Sequence, residues 1–372
     1  MSLLAELEKK REVNFLKSNL YERIKNNIVV VFSASKGGKK LVKFLRYNNI
    51  KVDYILDNNP NAQNTYYEGI EIIAPNLVIE KVNINNTVVF LGSLTYIGEI
   101  RKQLLQLGFN RELLISPLNI SDRFGYYLSD DIDDRKHIED NIQEIQKVIE
   151  LLDDEESIYV YKTIVQSRYE NYLNSEKIYA DIIIPNQYFD KSIMSLNENE
   201  TYIDIGAYDG DSITNFLKAV NNKYNKIYAF EPEIGLYELL KKNLNDYMNI
   251  EIYNKGLSNV TGKLNFINSD AGSHIIQSAE EADCSIDVIK GDDLKIKSTF
   301  IKMDIEGEEI NALEGLQETI KKYKPKLAIC IYHRNEFKQL WEVPLYIKTL
   351  SPDYKIQIRH HGYDTVCYAT ID

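Results

Sequence analysis

The segment Asp204-Ile-Gly-Ala-Tyr-Asp-Gly-Asp-Ser212 puts three carboxylates, Asp204, Asp209 and Asp211, in and beside a loop with glycines at 206 and 210. Glycine lets the backbone turn tightly and approach a ligand closely, which makes Gly206, Ala207 and Gly210 candidate binding positions. The spacing is GxxxG rather than the GxGxxG of a dinucleotide site. Charge narrows the ligand further. A pyrophosphate held against carboxylates in a partly desolvated cleft would be repelled by roughly several kcal/mol. A ligand with cationic centres and no phosphate suits the loop. S-adenosylmethionine, with its sulfonium and ammonium groups, is such a ligand, and methyl transfer is the chemistry it supports.

Three further clusters bear on that chemistry. Glu231, in Ala229-Phe-Glu-Pro232, stands 25 positions after Gly206, near where an acidic residue takes ribose hydroxyls in nucleotide-binding α/β folds. In Phe300-Ile-Lys-Met-Asp-Ile-Glu-Gly-Glu-Glu309, Asp304 ends an apolar run and should face the same cleft. Glu308 and Glu309 are expected merely to stabilise the start of a helix. A hydroxyl acceptor must lose a proton as it is methylated, so a general base is expected. His333, in Ile-Tyr-His-Arg, is the candidate, with Asp304 as its orienter or as the base itself. His274 is a second candidate, although either histidine could equally be a hydrogen-bonded loop residue. Asp304, Glu306 and His333 could together hold a divalent cation, but no dedicated ligand spacing calls for one and no metal is expected. Tyr332 and Trp341 lie beside the acceptor side, where stacking on a sugar and core packing are equally plausible. His360 and His361 flank a turn and are expected at the surface.

The elements that must position these residues follow a βαβ rhythm. Apolar runs at 28–32, 52–56, 87–91 and 113–115 alternate with helical stretches, which describes a small parallel α/β domain over 26–120 after an N-terminal helix over 1–25. From 121 to 197, Ile138, Ile142, Ile145, Ile149 and Leu152 keep helical spacing, a second helix is expected over 157–180, and the stretch reads as a helical connector. A second α/β series fills 198–372. Its strands are expected at 201–205, 226–231, 250–254, 299–304 and 326–332, with helices near 212–220, 233–245 and 307–322. An insertion over 256–298 carries short strands at 263–267 and 285–290. Residues 355–369 read as an antiparallel hairpin turning at His361-Gly362, the way class I methyltransferases finish their sheet.

Composition closes off other classes. At 372 residues, 44% hydrophobic and 27% charged, the chain suits two ordinary globular domains. A net charge of −12 argues against nucleic acid as a partner, which needs basic surface to displace counterions. No apolar run approaches the ~20 residues that span a bilayer. The charged N-terminus lacks the apolar core of a signal peptide, so a cytoplasmic location is expected. Cys284, Cys330 and Cys367 form no CxxC pair and are expected as small core residues.

Taken in order, Asp204–Ser212, Phe230-Glu-Pro232, Gly256-Leu-Ser258, Gly291-Asp-Asp-Leu294 and Ile301-Lys-Met-Asp-Ile-Glu-Gly-Glu308 resemble the FkbM-type S-adenosylmethionine-dependent methyltransferases over about 185–370. The resemblance implies a class I fold, and cofactor binding by Asp204, Gly206, Gly210 and Glu231, with Ser258 and Asp304 in the same group. It also implies methylation of hydroxyl groups of sugars or natural products. The chain has Ser273-His274 where many members carry a Ser-Arg pair, so the acceptor side departs from the family pattern. The acceptor is read as a hydroxyl of a glycan or glycan precursor. The rivals are N-methylation of an amino sugar or glycan-attached amino acid, and a silent binding or assembly module, against which the intact loop and Glu231 count. The N-terminal domain is Rossmann-like. Its loop Ser33-Ala-Ser-Lys-Gly-Gly-Lys-Lys40 is basic and suits a phosphate at a helix N-terminus, with Asp57 placed for a ribose, which leaves a nucleotide or nucleotide-sugar open there beside an assembly role. Serines at 33 and 35 replace the glycines of a dinucleotide loop, which disfavours an oxidoreductase. A homo-oligomer is compatible with all of this.

Overall fold

The computed structural model describes residues 2–16, 19–93, 96–116, 134–170, 179, 181–267, 274–276, 284–333, 338–362 and 364–371. Two compact units emerge: Met1–Ile142 with Thr163–Asp181, and Gln143–Lys162 with Ile182–Asp372. The stretch expected as one connector is therefore divided between them. It is helical over Asp134–Asp140, Ile142–Leu151 and Glu155–Tyr169; residues 121–133, 171–178 and 180 of the expected stretch lie outside the described residues.

The first unit is built on strands β1 (Ile28–Phe32), β2 (Tyr54–Leu56), β3 (Thr65–Tyr67), β4 (Ile70–Ile73), β5 (Thr87–Leu91) and β6 (Leu114–Ile115), in the order β3-β4-β2-β1-β5-β6. All neighbours are parallel except β3 and β4. Every residue of β1 after Ile28 is buried, as a parallel strand covered on both faces requires. The β3–β4 hairpin was not expected from the sequence. It turns through Glu68 and Gly69, both at positive φ, a two-residue turn whose signal is a single Glu-Gly pair.

The second unit carries β7 (Thr201–Ile205), β8 (Lys226–Phe230), β9 (Ile250–Tyr253), β10 (Gly256–Ser258), β11 (Gly262–Ile267), β12 (His274–Ile276), β13 (Cys284–Lys290), β14 (Phe300–Met303), β15 (Lys326–Cys330), β16 (Lys355–His361) and β17 (Asp364–Thr370). Its main sheet has the order β16-β17-β15-β14-β7-β8-β9, parallel except for β17, which runs antiparallel to both β15 and β16. This is the class I methyltransferase sheet closed by a terminal hairpin. β10 to β13 form a separate four-stranded sheet in the insertion. The rings of Tyr202 and Phe216 both stack on Phe300 and anchor the core beneath β7 and β14.

Three details depart from the sequence reading. The helix expected over 307–322 is two, Glu309–Gly315 and Gln317–Tyr323. A helix over Gln339–Leu350 was missed because Pro344 stands inside it, where a missing N–H normally ends the pattern. His360 and His361 are not at the surface; they are 1% and 5% exposed. Backbone at 183–184 covers the outer edge of β16, pairing Ile183 with His360. The two imidazoles then bond Thr365 Oγ1, the Ile184 carbonyl and the Tyr368 hydroxyl.

Candidate active site

Register brings the candidate residues together. Ile205 pairs with Phe230 on one side and with Met303 on the other, and Met303 pairs with Ile329. The residues that follow, Gly206, Glu231 and Asp304, therefore leave adjacent strand ends side by side. β7 lies between β8 and β14, the switch point where an open α/β sheet forms its crevice.

Gly206 sits at φ +75°, and a Cβ there would collide with the carbonyl oxygen of Asp304. Only glycine closes the loop this tightly against the neighbouring strand end. The amides of Gly206 and Ala207 both donate to the Phe230 carbonyl at 3.0 Å. Gly210, at φ +93°, starts the helix Asp211–Ala219. Asp209 is half-buried and accepts from the Asp211 amide at 3.2 Å, and Tyr208 stands exposed at the loop's tip.

Asp204 is fully buried and shows no surface to a ligand. Its Oδ2 accepts from Tyr202 (2.9 Å) and Ser212 (2.5 Å), and Lys302 Nζ lies 3.1 Å from its Oδ1. Lys302 also donates to the Gly206 carbonyl at 2.6 Å. Burial alone would strip the proton from Lys302, but Asp204 and Asp304 reverse this and hold the ammonium charged well above its ordinary range. The Asp204 charge is thus neutralised inside the protein, and its work is to fix the loop. Lys302 was not singled out from the sequence, although a lone cation inside the apolar run Phe300–Met303 was the signal for it.

Glu231 is buried. Its Oε2 accepts from the Tyr208 amide (3.0 Å) and its Oε1 from the Glu233 amide (2.9 Å). Burial pushes its carboxyl up to about 7, against the pull of those two bonds. Each oxygen keeps a lone pair beyond its single backbone donor. Asn254 pins the same strand end by donating to the carbonyls of Glu231 and Pro232.

At the next strand end, Asp304 Oδ2 accepts from Tyr188 at 2.9 Å and Oδ1 from Tyr332 at 3.3 Å. Burial would raise its carboxyl, yet His333 and Lys302 hold it well below the usual carboxylate range. His333 is 4% exposed, with Nε2 3.1 Å from Asp304 Oδ1 and 3.7 Å from Glu306 Oε2, and Nδ1 2.9 Å from Glu309 Oε1. Burial lowers its pKa, but Glu309 and Asp304 outweigh burial and raise it well above the ordinary imidazole value. Glu309 is therefore more than the helix-capping residue expected of it: fully buried, it is the partner that orients His333. Asp304, Glu309 and His333 bring ligand-type atoms within 4.8 Å of one another, a group able to hold a metal ion.

Other candidates fall elsewhere. Ser258 is buried, with its carbonyl against Gly315, and no described contact joins it to the loop or to Glu231. Trp341 is core, while the Tyr332 ring packs tilted against His333 with centroids 4.2 Å apart. His274 lies on β12, paired with Ile267, and its side chain is outside the described residues. Cys330 and Cys367 are free and buried. In the first unit, Asp57 accepts from the amides of Ala34 (2.6 Å) and Asn59 (2.8 Å), so its carboxylate braces the basic loop. Lys39 lies over the Tyr67 ring.

Comparison with known proteins agrees with this fold. Residues 204–364 match the model of the methyltransferase FkbM domain, and residues 25–115 match the model described as C2185-like, N-terminal. A search of curated proteins found no match. Among solved structures, the chain is similar to a methyltransferase FkbM from Methylobacillus flagellatus KT, at 21% identity and a TM-score of 0.62, covering 98% of this chain and 99% of that one. Looser likenesses include a SAM-dependent methyltransferase from Aquifex aeolicus (17% identity, TM-score 0.32, 61% of this chain and 98% of that one). Another is Aeropyrum pernix fibrillarin with natively bound S-adenosyl-L-methionine (13% identity, TM-score 0.31, 48% and 71%). With residues 204–364 matched to the methyltransferase FkbM domain and laid on this sheet, the chain is an S-adenosylmethionine-dependent methyltransferase.

Proposed function

We propose that the chain methylates a hydroxyl of a glycan or glycan precursor, with cofactor and acceptor meeting where Gly206 packs on the backbone of Asp304. That close approach is the observation on which the reading rests, because it sets the cofactor loop and the acceptor side in direct contact. Gly206, Ala207 and Gly210 form the cradle, which has no room for a larger residue at 206. Asp209 lies at its rim, and Glu231 offers its remaining lone pairs to ribose hydroxyls. Asp204 contributes through the loop it braces. When bound, the cofactor supplies an electrophilic methyl carbon on a cationic sulfur. The chain's own residues hold the acceptor in line with it, a task that can be worth ~7–11 kcal/mol. Asp304 and His333 face the acceptor and manage its proton, with Glu309 fixing the imidazole. Ser258 and His274, assigned on sequence grounds, stay as candidates for the cofactor and acceptor sides.

N-methylation is the second reading. Asp304 and Glu306 line the acceptor side and would favour an amine. Turnover with paired hydroxyl and amino acceptors of the same sugar separates the two. His333→Ala should remove turnover while leaving cofactor affinity nearly unchanged; full activity in that variant would exclude His333 from the chemistry.

A further inference from the structure

We propose that the acceptor side of this crevice is a divalent-cation site, ligated by His333 Nε2, Asp304 and Glu306. One imidazole cannot ligate one ion through both nitrogens, so the two edges of the His333 ring have different tasks. At Nδ1 stands Glu309, itself held by the Ile305 amide (3.0 Å) and by the side-chain amide of Gln339. A buried carboxylate on one ring nitrogen is how proteins fix the tautomer of a metal-ligating histidine. At Nε2 stand two oxygen donors, Asp304 Oδ1 at 3.1 Å and Glu306 Oε2 at 3.7 Å. Ligand atoms about 2.1 Å from a shared ion lie roughly 3.0–3.4 Å apart; Asp304 Oδ1 stands at that separation from Nε2, and Glu306 Oε2 must move closer to join it.

A second observation is independent of that spacing. His333 is 4% exposed, yet neither ring nitrogen makes an aligned hydrogen bond among the described residues; the carboxylates lie close but off the N–H directions. Gln339 Oε1, on the residue that braces Glu309, is also buried without a partner among the described residues. Buried polar atoms are nearly always satisfied, and an orphaned imidazole between carboxylates marks a missing ligand. The charges agree. Glu306 and Asp304 face Nε2, Glu309 faces Nδ1, and the buried Lys302 is already committed to Asp204 and the Gly206 carbonyl. One nitrogen and two carboxylates suit Mg²⁺ or Mn²⁺.

The consequence rests on the methyl-transfer reading. A hydroxyl bound to the cation loses its proton more readily, and two adjacent hydroxyls on one acceptor could chelate it.

The test uses the full chain, stripped with a chelator, dialysed and titrated with Mn²⁺ by calorimetry and electron paramagnetic resonance. One Mn²⁺ per chain is expected. Glu306→Gln, at a half-exposed position, should weaken binding at least tenfold while leaving the thermal melt unchanged, and His333→Gln should abolish it. Absence of stoichiometric binding in the parent chain, or unchanged binding in both variants, would overturn the site. S-adenosylmethionine titrated into the same samples separates the two claims: cofactor binding without Mn²⁺ binding removes the metal site alone, whereas Mn²⁺ binding without cofactor binding removes the methyl-transfer reading and leaves the metal site standing.

Discussion

The buried Asp204–Lys302 pair decides what the loop's acidity means. Removing one partner of such a pair typically costs 3–5 kcal/mol, because the other charge is stranded. Lys302→Met should destabilise the protein by about that much in urea unfolding, and adding Asp204→Asn should recover part of the loss. Glu231 gives a prediction in pH. Its carboxyl is raised to about 7 from 4.5, so the folded state holds its proton more tightly than the unfolded chain. Its contribution to stability is full below about pH 4.5 and is lost as pH rises through about 7. Glu231→Gln lacks that loss and should gain on the parent by on the order of 3 kcal/mol between pH 4.5 and 8, read from melts across that window. Glu231, Asp304 and His333 were legible because each is a polar residue at the end of an apolar run. Glu309 and Lys302 were not read, because an acid at a helix start and a cation within a strand have commoner explanations. Only the fold shows that one is wholly buried against an imidazole and the other against a carboxylate.

At the scale of elements, most strands of the two sheets were legible from their largely apolar runs. The elements missed are those whose signals are broken: the β3–β4 hairpin behind one Glu-Gly pair, and the helix that contains Pro344. Two glycines show what local sequence cannot. Gly315 ends the helix Glu309–Gly315, and a Cβ there would strike the Ser258 carbonyl, whereas one at Gly98 would meet nothing within 4 Å. Gly315→Ala should therefore cost about 1–3 kcal/mol through forced separation of helix and strand. Gly98→Ala, in the helix Ile97–Gln106, should be neutral or stabilising by up to about 1 kcal/mol. Thermal melts of the two variants compare them directly.

Over the whole molecule, the sequence led to two α/β bodies and to the order in which the second one closes, but not to how the helices between them are shared. Helical spacing marks a helix without saying which sheet it covers, so residues 143–162 and 163–181 read as one stretch although they belong to different units. Among the described residues, no helix is long and apolar enough to cross a membrane. The acidity that first pointed to a cationic ligand also has a different distribution in three dimensions. Asp204 is neutralised from within, while Glu231, Asp304 and Glu306 stand around the crevice. Calorimetric titration of the full chain with S-adenosylmethionine tests this most directly. One molecule should bind per chain, Glu231→Gln should weaken it at least tenfold, and Gly206→Ala, whose Cβ has no room, should abolish it. Absence of binding at millimolar cofactor, or binding that ignores both substitutions, would contradict a cofactor site at the ends of β7 and β8.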